Sequence, residues 1–291
     1  MNGTGPTVEG PLAIVCGGGS FPVAVADAVA RNGRRVVLFP LKGWADPSAV
    51  ARYPHHWVGL AQFGRICRLA HQEGCRDVVI IGSVIRPKVS QLRPDLRTLR
   101  LLPRIVRLFR GGDDHLLSGI GRIVEEHGFK LVGAHEAAPA ILVSHGTLGQ
   151  RQPSAADIAD AQRGFGVLAA IGPFDVGQAV VVAGNRVLAV EAAEGTDEML
   201  ARLATLRGAG RIQHAAGTGV LVKAPKPGQE RRLDLPSIGA RTVDGAAAAR
   251  LAGIAVAAGN VITADIADLV RAADAAGLFV IGVDPAGERT G

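Results

Sequence analysis

The chain has 291 residues, enough for two cores of about 130 to 150 residues each, and 48% hydrophobic against 20% charged residues excludes wholesale disorder. A net charge of +6 asks for an anionic partner. With aromatic residues at 4% and a single tyrosine, the stacking platforms of a nucleic-acid binder are thinly supplied, so no nucleic acid is expected.

Residues 1–10 read as a loose leader ahead of a short apolar run at 12–16 suited to a buried parallel strand. Gly17, Gly18 and Gly19 follow, then an alanine- and valine-rich helix to Arg31, a stop at Asn32 and Gly33, and a second strand at 35–39. A helix over 63–72, a stop at Gly74 and a strand over 77–81 repeat the pattern, and repeated crossovers of this kind imply a parallel, Rossmann-like sheet. A helix at 116–127 leads to a strand at 130–134, and the aperiodic stretch 140–154 reads as the domain boundary.

The second half opens with a helix over 157–172. Strands at 179–183 and 186–192 are joined by Gly184 and Asn185 in hairpin spacing, so strand direction is mixed here. Thr196 reads as the cap of a helix over 197–207, and strands at 219–223 and 253–257 complete a second α/β layer. The expected architecture is α/β in two domains: a Rossmann-like N-terminal domain at 11–140 and a mixed α/β catalytic domain at 141–284, with flexible ends at 1–10 and 285–291. Cys16, Cys67 and Cys75 lack the spacing of a disulfide framework or zinc site and fit a reducing compartment. No run of about 20 apolar residues is present to cross a membrane, and the start carries no export signal, so a soluble cytoplasmic protein is expected.

Several stretches carry chemistry. Gly17, Gly18 and Gly19 before a helix are either a phosphate cradle or a bare tight turn. The dinucleotide fingerprint is not met, because its third small residue would fall at Pro22 and no acid ends the second strand. The run GGDDH at 111–115 suits metal binding or helix capping. Arg93, Arg97, Arg100, Arg104, Arg107 and Arg110 recur at three- and four-residue spacing, a basic stripe for anionic head groups or simply a solvated face. Pro94 and Pro103 are expected to forbid one continuous helix there. Glu191, Glu194 and Asp197 crowd a strand exit, where oxygen ligands suit Mg²⁺ or are ordinary surface acids. Lys223, Lys226, Arg231 and Arg232 surround Asp234 in a proline-stiffened loop, a pattern that suits clamping phosphate oxygens beside a carboxylate that holds a metal or activates water.

Taken in order, the runs AIVCGGGSFP at 13–22, GGDDH at 111–115, AHEAAP at 134–139, DVGQ at 175–178, VEAAEGTD at 190–197, and KAPKPGQ at 223–229 with DLP at 234–236 resemble the LpxI family across residues 12–273. The resemblance implies Mg²⁺-dependent hydrolysis of UDP-2,3-diacylglucosamine to UMP and 2,3-diacylglucosamine 1-phosphate, a step of lipid A biosynthesis at the cytoplasmic face of the inner membrane, with peripheral membrane contact. It places the family's essential aspartate on Asp234 and sugar-phosphate contacts on Gln178 and Thr196. The site expected on these grounds has Asp234, Glu191 and Glu194 as catalytic carboxylates, and Asp234, Glu191 and Asp197 as metal ligands. Gly17, Gly18, Gly19, Gln178, Thr196, Lys223, Lys226 and Arg232 would bind substrate. The rival readings are a nicotinamide-dependent oxidoreductase using the first glycine turn and a non-catalytic sugar-nucleotide or lipid carrier; a homo-oligomer is left open.

Overall fold

Runs of apolar, largely β-branched residues form the first sheet. The computed structural model describes residues 10–84, 93–108 and 113–285. Strand β1 (Leu12–Cys16) is buried along its length and is followed by helix α1 (Phe21–Arg31), strand β2 (Val36–Pro40), helix α2 (Pro47–Val50), helix α3 (Phe63–Gln72) and strand β3 (Asp77–Ile81). Helices α4 (Leu96–Leu108) and α5 (Asp113–Glu126), the short strand β4 (Lys130–Leu131) and one turn of helix, α6 (Ala134–Ala137), come next. All strand pairs are parallel, in the order β2-β1-β3-β4, so the strand order reverses direction around β1, as the crossover pattern predicts. The two expected flexible ends, Arg110 of the arginine stripe, and Gly111 and Gly112 of the GGDDH run fall wholly or largely outside the described residues.

Two expectations give way in this unit. The strand foreseen at 130–134 is only two residues long, because Gly133 caps α6 and Glu136 reaches back to its backbone N–H at 2.7 Å. Pro103 does not break its helix: α4 runs straight through it. The proline is exposed, where water can satisfy the carbonyl one turn earlier that loses its partner.

The second sheet has six strands in the order β5-β10-β9-β8-β6-β7. Strand β5 (Gly146–Thr147) precedes helix α7 (Ala155–Ile171), then strands β6 (Ala179–Ala183) and β7 (Arg186–Val190), helix α8 (Gly195–Gly208) and strand β8 (Val220–Lys223). Helix α9 (Ala240–Ala248), strand β9 (Gly253–Ala257), helix α10 (Ile266–Ala276) and strand β10 (Phe279–Val283) complete the chain order. Strands β8, β9 and β10 are parallel, while β5, β6 and β7 make antiparallel pairs, so the mixed direction read from the hairpin is present. Period-two alternation sorts the side chains. Val180, Val182, Val220 and Val222 meet Phe165 and Leu168 of α7 on one face, and Val181, Leu221 and Val256 meet Leu200, Val243 and Leu269 of α8, α9 and α10 on the other. The hairpin turn holds Gly184 and Asn185 at φ 56° and 63°, and Asp160 of α7 accepts both their N–H groups at 2.9 and 2.7 Å.

By contact, the chain separates into two units after Ala140, and the five residues Glu230–Asp234 count with the first. A loop read as part of the second domain therefore lends its aspartate to the first unit.

Candidate active site

Strands β8, β9 and β10 run parallel and β6 runs against them, so the carboxyl ends of β8 and β7 and the start of β6 share one edge of the second sheet. Such an edge is where open α/β sheets carry their ligands. Register fixes it: Ala179 pairs with Lys223, and the N–H of Glu191 donates to the Ala179 carbonyl at 2.9 Å. Four residues singled out in the sequence meet here. The buried ammonium of Lys223, 7% exposed, donates to Thr196 Oγ1 at 2.9 Å and to the Ser237 carbonyl at 2.9 Å. Thr196 Oγ1 donates in turn to Glu191 Oε1 at 2.8 Å, and the backbone N–H of Gln178 donates to Glu191 Oε2 at 2.8 Å. A buried cation is thus tied through one hydroxyl to a carboxylate whose two oxygens each accept a donor.

The local sequence explains the convergence. Gly177 lets the end of β7 come close, since a Cβ there would lie 2.3 Å from the Glu191 carbonyl oxygen. Gly195, at φ 82°, begins α8 one residue before Thr196. Thr196 is consequently in the first helical turn rather than at the cap, and the expected capping role is replaced by its bond to Glu191. Ser237 and Gly177 had no signal in the sequence beyond their neighbourhood.

Asp234 closes a five-residue turn in the first unit, its backbone N–H donating to the Glu230 carbonyl at 3.1 Å. Arg232 pins this segment: it meets Glu230 through Nε at 2.9 Å and Nη2 at 2.8 Å, and Glu125 of α5 through Nη1 at 2.6 Å. Two carboxylates already offset its charge, and their bonds, that to Glu230 first, push its pKa upward. Its guanidinium holds the Asp234 segment on α5. His135 of α6 lies against Gly133. Its Nδ1 is buried with no partner, and burial first, then the Arg231 charge, lowers its pKa.

The glycine turn after β1 is occupied by the protein itself. The N–H of Gly17 donates to the Ile81 carbonyl at 2.9 Å, that of Gly18 to the Ser83 carbonyl at 2.8 Å, and Ser83 N–H returns to Gly18 at 2.9 Å. A Cβ on Gly17 would stand 2.6 Å from the Gly82 carbonyl carbon. Gly17 and Gly18 are therefore required by the close approach of two strand ends, which corrects the phosphate cradle drawn on their N–H groups. Gly19, at φ 89°, faces open space.

The remaining expected site residues each stand in an ion pair. Glu194 bonds Arg202 at 2.8 Å, and its own backbone N–H, then Arg202, hold its carboxyl below the ordinary value. Asp197 pairs with Arg241, and Lys226 with Asp175. Within the second unit Glu194 and Asp197 are thus each engaged by an arginine, while Glu191 bonds Thr196 and Gln178. Among the described residues no three Asp, Glu, His or Cys side chains come together as a metal cage. One carboxylate with substrate phosphates remains a donor set that Mg²⁺ commonly accepts. The three cysteines are buried and free, and burial pushes the Cys16 thiol up to about 12 and Cys75 to about 11, so neither is a nucleophile.

Known proteins match this chain over nearly its whole length. The LpxI N-terminal domain matches residues 11–141 and the LpxI C-terminal domain matches residues 144–281. The chain is 44% identical over 274 residues to the UDP-2,3-diacylglucosamine pyrophosphatase LpxI of Caulobacter vibrioides, covering 94% of this chain and 98% of that one. Among solved structures, a UDP-glucose-4-epimerase from Stenotrophomonas maltophila aligns with 50% of this chain and 40% of its own at 14% identity, and its TM-score of 0.27 is too low to carry an argument.

Proposed function

The chain belongs to the LpxI family, and from that premise we propose that it hydrolyses the pyrophosphate of UDP-2,3-diacylglucosamine, giving UMP and 2,3-diacylglucosamine 1-phosphate. The observation that carries this reading is near-full-length identity to a pyrophosphatase, joined to a strand-end cluster built from the same motifs. In the reaction, water attacks one phosphorus, the bond from that phosphorus to the bridging oxygen breaks, the leaving phosphate takes the electron pair, and the water's proton is released.

Each expected role follows from what the side chain can do. Lys223 is fixed by Thr196 and Ser237, so its positive charge is in place before the pyrophosphate arrives and costs no rearrangement during reaction. Glu191 accepts the Thr196 O–H and so fixes the hydroxyl oxygen that holds Lys223 toward the sugar phosphate, with Gln178 beside it. Lys226 adds a cation on the loop that follows β8. Asp234 is the carboxylate that aligns the attacking water, and Arg232 positions it by securing the segment to Glu125. Gly19, at the start of α1, is the part of the glycine turn left to approach the nucleotide. Asp234 would be the protein carboxylate that holds Mg²⁺, and the ion would supply an offset to the phosphate charge.

Because the substrate carries two acyl chains, the protein meets it at the cytoplasmic face of the inner membrane as a peripheral protein; among the described residues no helix is long and apolar enough to cross a membrane. The test is UMP release from UDP-2,3-diacylglucosamine by purified protein, with Mg²⁺ and with EDTA, for wild type and Asp234→Ala. Metal-dependent release that falls by about 10² to 10⁴ in a folded mutant is expected, the range of a positioned acid or base. No release from wild type would point to the carrier instead.

A further inference from the structure

Helix α4 is held firmly on one side and bare on the other. Asp95 ahead of it accepts the Thr98 N–H at 2.9 Å and the Arg65 N–H at 2.8 Å, Thr98 Oγ1 accepts the Phe63 N–H at 3.1 Å, and Arg104 grips Glu126 of α5. Thr98 and Leu108 are buried. Yet Leu96 is 67% exposed, Leu99 47%, Leu102 43% and Val106 49%, which makes this helix the richest source of exposed large apolar side chains among the described residues.

At about 100° per residue, these four side chains fall within one arc of roughly 120°, and Arg97, Arg100, Arg104 and Arg107 fill the next arc of roughly 80°. No Asp or Glu lies within the helix. An apolar arc flanked by guanidinium groups is the arrangement of a helix lying in the plane of an anionic membrane, its apolar side among acyl chains and its cations among head groups. Beside its first turn opens a groove of ≈ 810 Å³ lined by Arg65, Arg68 and Arg97 together with Leu96. Its acids are already engaged, Asp95 by backbone N–H groups and Glu126 by Arg104.

We infer that α4 is the membrane-docking helix of this protein, seating Leu96, Leu99, Leu102 and Val106 in the surface of an anionic phospholipid bilayer with Arg100 and Arg107 on its head groups. The inference rests on the proposed lipid substrate for its purpose, and on exposure and charge for its location. Anionic phospholipid, rather than a second copy of the chain, is favoured by the arginine arc, which would face its own kind across a two-fold contact.

The experiment pellets the full chain with vesicles of phosphatidylcholine alone and of phosphatidylcholine mixed with phosphatidylglycerol. It compares wild type with Leu96→Ser/Leu99→Ser/Val106→Ser and with Arg100→Gln/Arg107→Gln; all five positions are exposed, so folding is expected to survive. Binding to the anionic vesicles is expected to fall about tenfold or more in each variant, the arginine variant losing the preference for phosphatidylglycerol. Turnover of detergent-dispersed substrate should stay within about twofold of wild type. That turnover reports on the proposed reaction and pelleting on the docking helix, so either can fail alone. Wild type that ignores the anionic vesicles, variants that pellet as well as wild type, or a wild-type dimer that the serine variant splits would each overturn the inference.

Discussion

Two strand-end regions of this protein both lie where a ligand could bind and differ in the side chains they bring there. The turn after β1 is glycine-rich and lies where strand order reverses, yet the N–H groups of Gly17 and Gly18 are bonded to Ile81 and Ser83. The edge formed by β6, β7 and β8 has no glycine signature of that kind, but aligns Lys223, Thr196 and Glu191 in a continuous chain of hydrogen bonds. A favourable topological position supplies a place for a ligand. Chemistry requires in addition a charged side chain fixed there, which Lys223 supplies at the second edge.

Within these two regions the largest effect should come from Lys223→Met, which removes a buried cation and leaves the Ser237 carbonyl without that donor; kcat/KM for UMP release is expected to drop about 100-fold, the scale of one preorganised electrostatic group. Gly177→Ala sharpens the comparison from the backbone side. Its Cβ would meet the Glu191 carbonyl, so a loss of about 1 to 3 kcal/mol in chemical denaturation is expected, with activity falling beyond the loss of folded protein. Glu191→Gln keeps the shape but sets an amide where a donor now points, and turnover should fall about tenfold with Thr196 less well aimed. The smallest effect is Arg232→Gln, which breaks partly exposed pairs to Glu125 and Glu230 and should cost about 1 kcal/mol or less in a denaturant melt.

Much of the fold was legible because burial selects apolar runs: the strand at 77–81 and the helix at 63–72 occupy the spans that their patterns predict. Helices α9 and α10 left little trace, being alanine-rich segments with few large apolar residues to mark a face. The cluster of Gln178, Glu191, Thr196 and Lys223 was visible as four candidates, but their convergence depends on strand register. The same limit holds for ion pairs. Arg202 and Arg241 beside Glu194 and Asp197, and Glu125 on Arg232 from 107 residues away in sequence, left no trace in the sequence pattern. Thr196 looks like a cap because an acid comes directly after it; a positive φ at Gly195 starts the helix sooner and frees the hydroxyl for Glu191.

The most direct measurement is kcat/KM for UMP release from UDP-2,3-diacylglucosamine by Lys223→Met and Gly19→Ala side by side, each corrected for folded protein. The strand-end cluster as the centre of the reaction predicts a loss of about 100-fold for the lysine variant and of no more than about tenfold for the glycine variant, whose added methyl meets open space but is strained at φ 89°. A lysine variant that keeps wild-type turnover while the glycine variant loses it would contradict the account and move the chemistry to the first turn.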